Sequence, residues 1–370
     1  MHHGMLTVYK EAGYTSSDAV ARLRGILRMR RIGHTGTLDP DAEGVLPMCL
    51  GNATRICELI ADREKEYVAV MRLGVQTDTQ DMSGEILQRI SDQEIPAAIL
   101  KSAECGTAQK TKEPAAEETL QVQTDLSLRG QSEEAVIADI ILRTAAAFTG
   151  QIEQIPPMYS AVKVNGKRLY DMARKGITVE RKPRRITIHA LEIEKIDLPL
   201  ITMRVRCSKG TYIRTLCEDM GIALGTGAAM QSLLRTRVGQ FTLKEAHTLD
   251  ELEYFAKNEP DRLLPLIRPV DSFFADLPAA ACREDAMRLL KNGNLLTTEQ
   301  FRFLPEEEDP QRQWKSGEAF DLQSLPGVDP GEQVIRMYSA DRLFYGLYRS
   351  KGAAGGRIRY SAYKMFLPEL

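Results

Sequence analysis

Apolar and polar residues alternate along several segments of the first 240 residues, and this pattern predicts β-strands. The alternation covers Leu6–Lys10, Tyr67–Leu73, Arg185–Glu194 and Ile201–Cys207. Because successive side chains of a strand point to opposite faces, Tyr67 is expected on the same face as Leu73.

Two other segments carry apolar residues at helical spacing. One begins at Ser16 or Ser17, where a serine is expected to cap the helix, and ends near Leu27. The other extends over Tyr212–Leu224, and its apolar positions form one stripe that predicts a face buried against a sheet. The first part of the chain therefore contains elements of both kinds.

Prolines at 260, 265 and 269 mark a boundary in the last third of the chain. We predict one domain over residues 1–250 and a second over 265–370, a division that suits a length of 370 residues. The second domain is predicted to be small and rich in β-structure. It is expected to hold a helix over Ala280–Leu290, a loop at Glu306–Asp309, and strands over Gln333–Ser339, Leu343–Arg349 and Arg357–Phe366.

Residues 102–132 differ in composition from their surroundings. They are rich in Ala, Glu, Gln, Thr and Lys and show no apolar period. Such a segment cannot bury enough apolar surface to fold, so we predict a disordered insertion on the surface.

One loop carries the strongest candidate for chemistry. Residues 33–47 have the sequence Gly-His-Thr-Gly-Thr-Leu-Asp-Pro-Asp-Ala-Glu-Gly-Val-Leu-Pro, with Asp39 at the centre and an apolar run after it. Pro40 excludes a continuing helix, and the glycines permit sharp bends. Asp39 could be a positioned nucleophile. The alternative is an ordinary loop, because Asp-Pro commonly begins a turn.

Composition narrows the class of protein. Six scattered cysteines contain no Cys-x-x-Cys pair, which argues against zinc and disulfides and fits a reducing compartment. No apolar run approaches the roughly 18 residues that a membrane span requires. We expect a cytoplasmic protein that binds no metal and no membrane.

The net charge of −2 conceals a basic cluster at residues 163–185, which contain nine Lys or Arg and two acidic residues. Clusters of this density are typical of surfaces that bind phosphates. Gly166, Gly176 and Pro183 interrupt the cluster and favour an exposed loop. A solvated charged face with no partner is the alternative.

Four segments together resemble the bacterial tRNA pseudouridine synthase B family. They are the loop at 33–47, Glu-Lys-Glu-Tyr-Val-Ala at 64–69, Cys-Ser-Lys-Gly-Thr-Tyr-Ile-Arg-Thr at 207–215 and Ser-Leu-Leu-Arg-Thr-Arg at 232–237. Supporting matches are a turn at 72–81 and the segments 151–163 and 166–170. The resemblance covers most of residues 5–240 apart from the insertion.

The resemblance implies an α+β fold. The catalytic domain would be a mixed, mostly antiparallel sheet flanked by helices and loops, with a mobile thumb over about residues 150–185 that grips RNA. The C-terminal domain would be a PUA-like RNA-binding domain, although the similarity there is weaker.

The resemblance also implies a set of site residues. Asp39 would be the catalytic acid, Arg214 would hold it ionised, and Tyr67 would stack on the target base and help to remove its C5 proton. The residues expected to bind substrate are His34, Lys65, Tyr212, Leu233 and, in the thumb, Lys163, Lys167 and Arg168.

The implied reaction converts uridine 55 in the T-arm of tRNA to pseudouridine, after the base is flipped into a pocket. Asp39 would attack C1′ or C6, or remove the 2′ proton, and the sequence leaves these alternatives open. No cofactor is expected, the partner is tRNA, and we expect a monomer. Two other functions remain open: a noncatalytic tRNA-binding or RNA-folding protein, and a pseudouridine synthase that acts on another RNA.

Overall fold

The computed structural model describes residues 3–104, 132–164, 166–316, 320–322, 325–354 and 357–367. The helices are α1 (Ser16–Leu27), α2 (Cys57–Ala61), α3 (Ile95–Glu104), α4 (Glu133–Ala147), α5 (Leu169–Ala173), α6 (Ile213–Ala223), α7 (Leu249–Asn258), α8 (Pro260–Leu263) and α9 (Met287–Lys291). The strands are β1 (Gly4–Lys10), β2 (Ile32–His34), β3 (Glu43–Leu50), β4 (Lys65–Leu73), β5 (Val75–Thr77), β6 (Ile86–Arg89), β7 (Gly150–Gln154), β8 (Lys163–Val164), β9 (Lys167–Arg168), β10 (Arg184–Asp197), β11 (Leu200–Cys207), β12 (Ala228–Val238), β13 (Phe241–Thr242), β14 (Ala279–Cys282), β15 (Leu296–Thr297), β16 (Phe301–Phe303), β17 (Val334–Tyr338), β18 (Phe344–Ala354) and β19 (Arg357–Met365).

The larger sheet has the order β1-β3-β12-β4-β11-β10-β7, with β2 added to β3 and β13 to β12. Among its described strands, only the pair β3–β12 is parallel. A second sheet has the order β15-β19-β18-β17-β14-β16. The predicted fold class, a mixed and mostly antiparallel sheet with a β-rich C-terminal domain, is confirmed.

Hydrophobic periodicity placed the core of the larger sheet correctly. On β4, Tyr67, Ala69, Met71 and Leu73 are buried, while the residues between them are half-buried. The apolar stripe of α6 is buried as predicted and packs with this face of β4 in one cluster. This face of the sheet is therefore the one on which the site is built.

The start of α1 differs from the prediction in a way that matters for the site. Thr15, and neither serine, caps the helix, in a reciprocal capping box with Asp18. Ser16 instead turns inward, where its hydroxyl accepts a hydrogen bond from the amide of Leu38 at 2.9 Å. The first turn of α1 is thus joined to the loop that carries Asp39.

The helix predicted over Ala280–Leu290 is wrong for its first half. Residues 279–282 form β14, which lies between β17 and β16, and helical structure begins only with a 3₁₀ turn at Glu284–Ala286 that leads into α9. All four residues of β14 are buried. A strand covered on both faces shows no alternation, and three consecutive alanines suggested a helix.

The predicted insertion at 102–132 lies mostly outside the described residues, which stop at 104 and resume at 132. At its edges the prediction was too wide. Residues 102–104 continue α3, and the hydroxyl of Ser132 caps α4 by accepting from the amide of Ala135 at 3.3 Å.

Apolar side chains from both sheets form one cluster. Met5, Val45 and Val238 of the larger sheet pack with Phe274 and Phe366 of the C-terminal part. The C-terminal sheet is therefore fixed against the edge of the larger sheet that contains β1 and β3. The exact domain bounds, 1–250 and 265–370, stay a prediction.

The acidic segment Glu306–Asp309 is more ordered than the predicted loop. A short 3₁₀ helix covers Glu306–Glu308, and Asp309 is buried. Its carboxylate accepts two hydrogen bonds from the guanidinium of Arg336, at 2.6 and 3.0 Å, and Arg336 is fully buried. Removing one partner of such a pair leaves an uncompensated charge in the interior.

We therefore predict that Asp309→Ala lowers the free energy of unfolding by about 3–5 kcal/mol, the range seen when one partner of a buried ion pair is removed. The measurement is urea-induced unfolding followed by the fluorescence of Trp314, the single tryptophan of the chain. Glu306→Ala is the control, because this side chain is 74% exposed and its ammonium partner is 3.8 Å away. Equal stability of the two variants would contradict the prediction.

Candidate active site

Asp39 lies in the connection between β2 and β3, outside any helix or strand. The amide of Ala42 donates to the carbonyl of Asp39 at 3.1 Å and closes a turn. The side chain of Asp39 is 39% exposed, so a substrate can reach its carboxylate. The flanking Leu38 is buried and anchors the loop in the core.

Arg214, in the first turn of α6, is paired with Asp39 as predicted. Its Nε lies 2.9 Å from Asp39 Oδ2, and its Nη2 donates to Oδ1 at 3.3 Å. The guanidinium also donates to the carbonyls of Thr79 and Tyr159, at 3.0 and 2.8 Å, and lies 3.5 Å from a carboxylate oxygen of Asp81. With only 6% of its side chain exposed, Arg214 has a fixed orientation.

The charges around Asp39 oppose one another. Removal from water raises the pKa of the Asp39 carboxyl above its ordinary value, the Arg214 guanidinium opposes this shift, and Asp81 adds to it. Burial and the second carboxylate outweigh the ion pair. Asp39 is therefore a more basic carboxylate than a surface aspartate, even though it is paired.

Three side chains hold the backbone on both sides of Asp39. The ammonium of Lys10 donates to the carbonyl of Pro40 at 2.9 Å, and the hydroxyl of Ser16 binds the amide of Leu38. The guanidinium of Arg235 donates to the carbonyls of Gly36 and Thr37, at 3.3 and 3.4 Å. Burial lowers the pKa of Lys10 to about 8.

Close packing of β3 on β12 requires a glycine at the end of the loop. Gly44 has φ of +107°, and a Cβ atom there would stand 2.2 Å from the carbonyl oxygen of Arg235. Only glycine combines this conformation with this approach. Gly44 thus places the loop directly on β12.

Tyr67 and Leu233 come together on the same face of the sheet. In the pairing of β4 with β12, Tyr67 stands opposite Arg235 and Ala69 opposite Leu233, so Leu233 is the diagonal neighbour of Tyr67. Tyr67 is 8% exposed and Leu233 also 8%, in one cluster with Leu38. Burial raises the pKa of Tyr67 to about 12, although the charge of Arg235 opposes the shift.

His34 ends β2, at the beginning of the loop, and is half-buried. Its Nδ1 accepts a hydrogen bond from the amide of Gly36 at 3.3 Å, which leaves the proton of the neutral ring on Nε2. Burial and the charge of Arg235 lower the pKa of His34. The ring is therefore neutral near pH 7, a form that suits stacking on a base.

The predicted thumb residues are exposed on a short hairpin. β8 pairs with β9, so Lys163 stands opposite Arg168, and both side chains and that of Lys167 reach solvent. Within the part of the chain that the structure describes, Lys163 and Lys167 form no ion pair. Leu169, fully buried, fixes the hairpin to α5. This arrangement favours a phosphate-binding role over a salt-bridged face.

Two predicted substrate-binding residues make structural contacts, Lys65 through its ammonium and Tyr212 through its backbone. Lys65 is 7% exposed, and its ammonium donates to the carbonyls of Ala61 and Arg63, at 2.5 and 2.6 Å. The backbone of Tyr212 is held at both its amide and its carbonyl by the side chain of Gln154, at 2.8 and 3.0 Å. These contacts favour positioning roles, and substrate binding by Lys65 and Tyr212 stays a prediction.

Sequence reasoning missed three contributors to the site. Asp81 lies within the segment 72–81, which we expected to be only a structural turn near the site, with no role for this carboxylate. The carbonyl of Tyr159 comes from the thumb and carries no signal in the sequence. Arg235 lies two residues after Leu233, and this spacing places both side chains on one face of a strand, which could have identified it.

The site therefore presents a basic carboxylate, a tyrosine with an apolar neighbour and a fixed cation. The carboxylate can attack an electrophilic carbon. The tyrosine provides a flat surface against a base and a hydroxyl for proton transfer. Among the described residues, no group of three or more His, Cys, Asp or Glu could hold a metal ion. None of the described helices is long and apolar enough to cross a membrane.

The fold is therefore of the α+β class, and its mixed sheet brings an aspartate–arginine pair and a buried tyrosine to one site. The profile of the TruB family pseudouridylate synthase N-terminal domain matches residues 24–116 and 103–213. That of the tRNA pseudouridylate synthase B C-terminal domain matches residues 214–275. The chain belongs to the TruB family and is a pseudouridine synthase, an isomerase.

Curated relatives agree over most of the chain. A tRNA pseudouridine synthase B of Lachnoclostridium phytofermentans is 39% identical, over 99% of this chain and 100% of its own length. Proteins of the same name from Clostridium tetani and Ralstonia nicotianae are 40% and 41% identical, each over 79% of this chain and over 84% and 81% of their own lengths.

Solved structures support the fold. A Cbf5-Nop10-Gar1 complex contains a chain with a TM-score of 0.60 and 24% identity, which covers 99% of this chain and 85% of its own. An H/ACA RNP bound to a substrate RNA containing 2'-deoxyuridine gives a TM-score of 0.60 at 22% identity, over 99% of this chain and 86% of its own. Both sheets therefore have counterparts in solved structures.

The two carboxylates around Arg214 lead to a prediction about pH. Asp81 raises the pKa of Asp39, so Asp81→Asn should lower that pKa. Activity that needs ionised Asp39 is lost as pH falls through this pKa, so the acid limb of kcat/KM should move to lower pH in the variant. The measurement is kcat/KM for pseudouridine formation between pH 4 and 8.

Asp78→Asn is the matched control, because Asp78 lies in the same turn but its carboxylate accepts from the amide of Glu85, at 2.8 Å, whereas Asp81 is the one beside Arg214. Its acid limb should coincide with that of the wild type. A limb that stays in place in Asp81→Asn, or moves to higher pH, would contradict the assignment of the limb to Asp39.

Proposed function

We propose that the enzyme isomerises the uridine at position 55, in the T-arm of tRNA, and that Asp39 is its catalytic carboxylate. The printed names of its relatives identify tRNA pseudouridine synthases, which supports tRNA as the substrate. The observation that carries the proposal is the contact of Arg214 with Asp39, beside the face shared by Tyr67 and Leu233.

The target base lies within folded RNA and must be flipped out before any group of the site can reach it. Unstacking costs a few kcal/mol, which contacts to the flipped base and the opened loop must offset. His34 lies at the edge of the loop as a neutral, half-buried ring, so it can stack where the flipped base was. Tyr67 and Leu233 then hold the base between an aromatic and an aliphatic surface.

Asp39 acts on the ribose or the base of the bound uridine. Its raised pKa gives the carboxylate more basicity than a surface aspartate, and Arg214 fixes its direction. Attack at C1′, attack at C6 and removal of the 2′ proton all use this same carboxylate. After the N1–C1′ bond breaks, the uracil turns against Tyr67, and C5 joins C1′. The C5 proton then leaves, with the Tyr67 hydroxyl nearby.

The thumb supports RNA as the binding partner. Lys163, Lys167 and Arg168 lie on an exposed hairpin, and the chain that leads to it binds Arg214 through the carbonyl of Tyr159. A cationic hairpin joined to the site at its base can clamp a phosphate backbone while the base is bound. We include the C-terminal sheet as a second RNA-binding surface, and we propose that the enzyme acts as a monomer.

We predict that Asp39→Asn abolishes activity, because an amide can neither attack carbon nor accept a proton. The assay is tritium release from tRNA transcripts that carry tritium at uridine C5, since the C5 hydrogen is lost when C5 joins C1′. Asp41→Asn is the matched control: the same substitution two residues away, at an exposed position.

Release by wild type and Asp41→Asn but not by Asp39→Asn is the expected result. Activity surviving in Asp39→Asn would overturn the role of Asp39. No release by the wild type, with tRNA binding retained, would instead favour a noncatalytic tRNA-binding or RNA-folding protein. Release from other RNAs, but not from position 55, would favour a synthase of another substrate.

We further predict that Lys167→Gln with Arg168→Gln weakens tRNA binding uniformly and flattens its salt dependence by about one unit of slope per lost phosphate contact. The measurement is the dissociation constant of tRNA as a function of salt concentration. The control is the double variant Lys195→Gln with Lys257→Gln, which removes two exposed charges elsewhere. In the native chain each of these lysines is paired with a carboxylate. Equal slopes in the thumb variant and the wild type would refute a clamping role.

A further inference from the structure

Arg235 is a deeply buried cation of the site and lies on β12. It is 1% exposed, and its place in the sheet is directly opposite Tyr67 on β4. Neither the roles of Asp39 and Arg214 nor the resemblance of the sequence assigned it a task. A guanidinium in such a position is costly unless its donors are satisfied and its charge is used.

The partners of Arg235 are unusual for a buried cation. Its donors bind the carbonyls of Val45, Thr37 and Gly36, at 2.7, 3.4 and 3.3 Å. Within the described parts of the chain it forms no ion pair with a carboxylate. These carbonyls satisfy part of its hydrogen-bonding capacity, while no described carboxylate balances its charge.

Arg235 and Tyr67 are directly opposite each other on neighbouring strands, so their side chains lie side by side on one face of the sheet. Arg235 influences the tyrosine through both charge and hydrogen bonding, and each of these effects lowers the pKa of Tyr67. A guanidinium can only donate, so the Tyr67 oxygen must be the acceptor. The hydroxyl proton is thereby directed away from Arg235 and is available for transfer.

We propose that Arg235 is a positioning residue with two partners: it fixes the backbone that leads to Asp39, and it stabilises negative charge on the Tyr67 oxygen during removal of the C5 proton. This inference rests on the proposed function. It adds to that function the means by which a buried tyrosine can act as a base.

The proton-transfer step balances without a further reactant. The Tyr67 hydroxyl first gives its proton to solvent, and Arg235 offsets the negative charge of the tyrosinate oxygen. The tyrosinate then removes the C5 proton and becomes neutral tyrosine again. The electron pair of the C5–H bond restores the C5–C6 double bond, and the π pair of the C6–N1 bond moves to N1, which takes up a proton from water.

The test measures the deuterium isotope effect on kcat with tRNA that carries protium or deuterium at uridine C5. In Arg235→Gln we expect kcat to fall about 100-fold, within the usual range for a group that assists proton transfer. KM should stay within about twofold of wild type, because the contacts that bind tRNA before the reaction are unchanged. The isotope effect should rise, because C5 deprotonation becomes slower relative to the other steps.

Arg235→Lys keeps the charge in the interior and should restore both kcat and the isotope effect in part. If Arg235→Gln does not fold, Arg235→Lys alone tests the inference, because its isotope effect should still exceed that of the wild type. Arg237→Gln is the matched control, an arginine two residues further along β12 that is paired with Glu64 and 26% exposed. It should leave the isotope effect unchanged.

A fall in kcat with an unchanged isotope effect, in either Arg235 variant, would show a merely structural role and overturn the inference. Full activity of Arg235→Gln would overturn it as well. Both outcomes are distinct from a failure of the proposed function, in which the wild type itself would release no C5 hydrogen.

Discussion

The loop around Asp39 forms no regular secondary structure, and its backbone must therefore find hydrogen-bond partners among side chains. Lys10 from β1, Ser16 from α1 and Arg235 from β12 supply them, and all three are buried. Two of these are cations, and burying them is unfavourable unless carbonyl oxygens replace the lost water. The loop and its supports thus stabilise one another. The position of the Asp39 carboxylate depends on β1, α1 and β12 being in place, and so on the pairing of β3 with both strands.

The electrostatics of the site also depend on one side chain that has several partners. Arg214 is divided between Asp39, Asp81 and two backbone carbonyls, so Asp39 receives only part of its charge. A carboxylate fully neutralised in a buried ion pair would be a weak base and a weak nucleophile. Burial and Asp81 instead leave Asp39 with a raised pKa, while the guanidinium still fixes its direction. Orientation and reactivity are thereby controlled by different neighbours.

Hydrophobic periodicity correctly predicted the strands and helices that have one buried face. The strand of Tyr67 and the helix of Arg214 were both placed from alternation and helical spacing, because each has one apolar side. The same reasoning failed for Ala279–Cys282, where both faces are covered and alternation disappears. It also passed over Arg235, because an arginine is expected at the surface, and only contact with the loop reveals why this one is buried. Partners distant in sequence, such as Asp81 and the carbonyl of Tyr159, come together only in the folded chain.

The thumb and the catalytic pair are connected through the backbone. The carbonyl of Tyr159 binds the guanidinium that holds Asp39, and the side chain of Gln154, at the end of β7, holds the backbone of Tyr212 just before α6 begins. These hydrogen bonds join partly buried groups, and such groups cannot be left unpaired without cost. A displacement of the thumb would therefore change the position of Arg214 and the field at Asp39. The segment proposed to grip RNA and the carboxylate proposed to act on it are joined through one guanidinium.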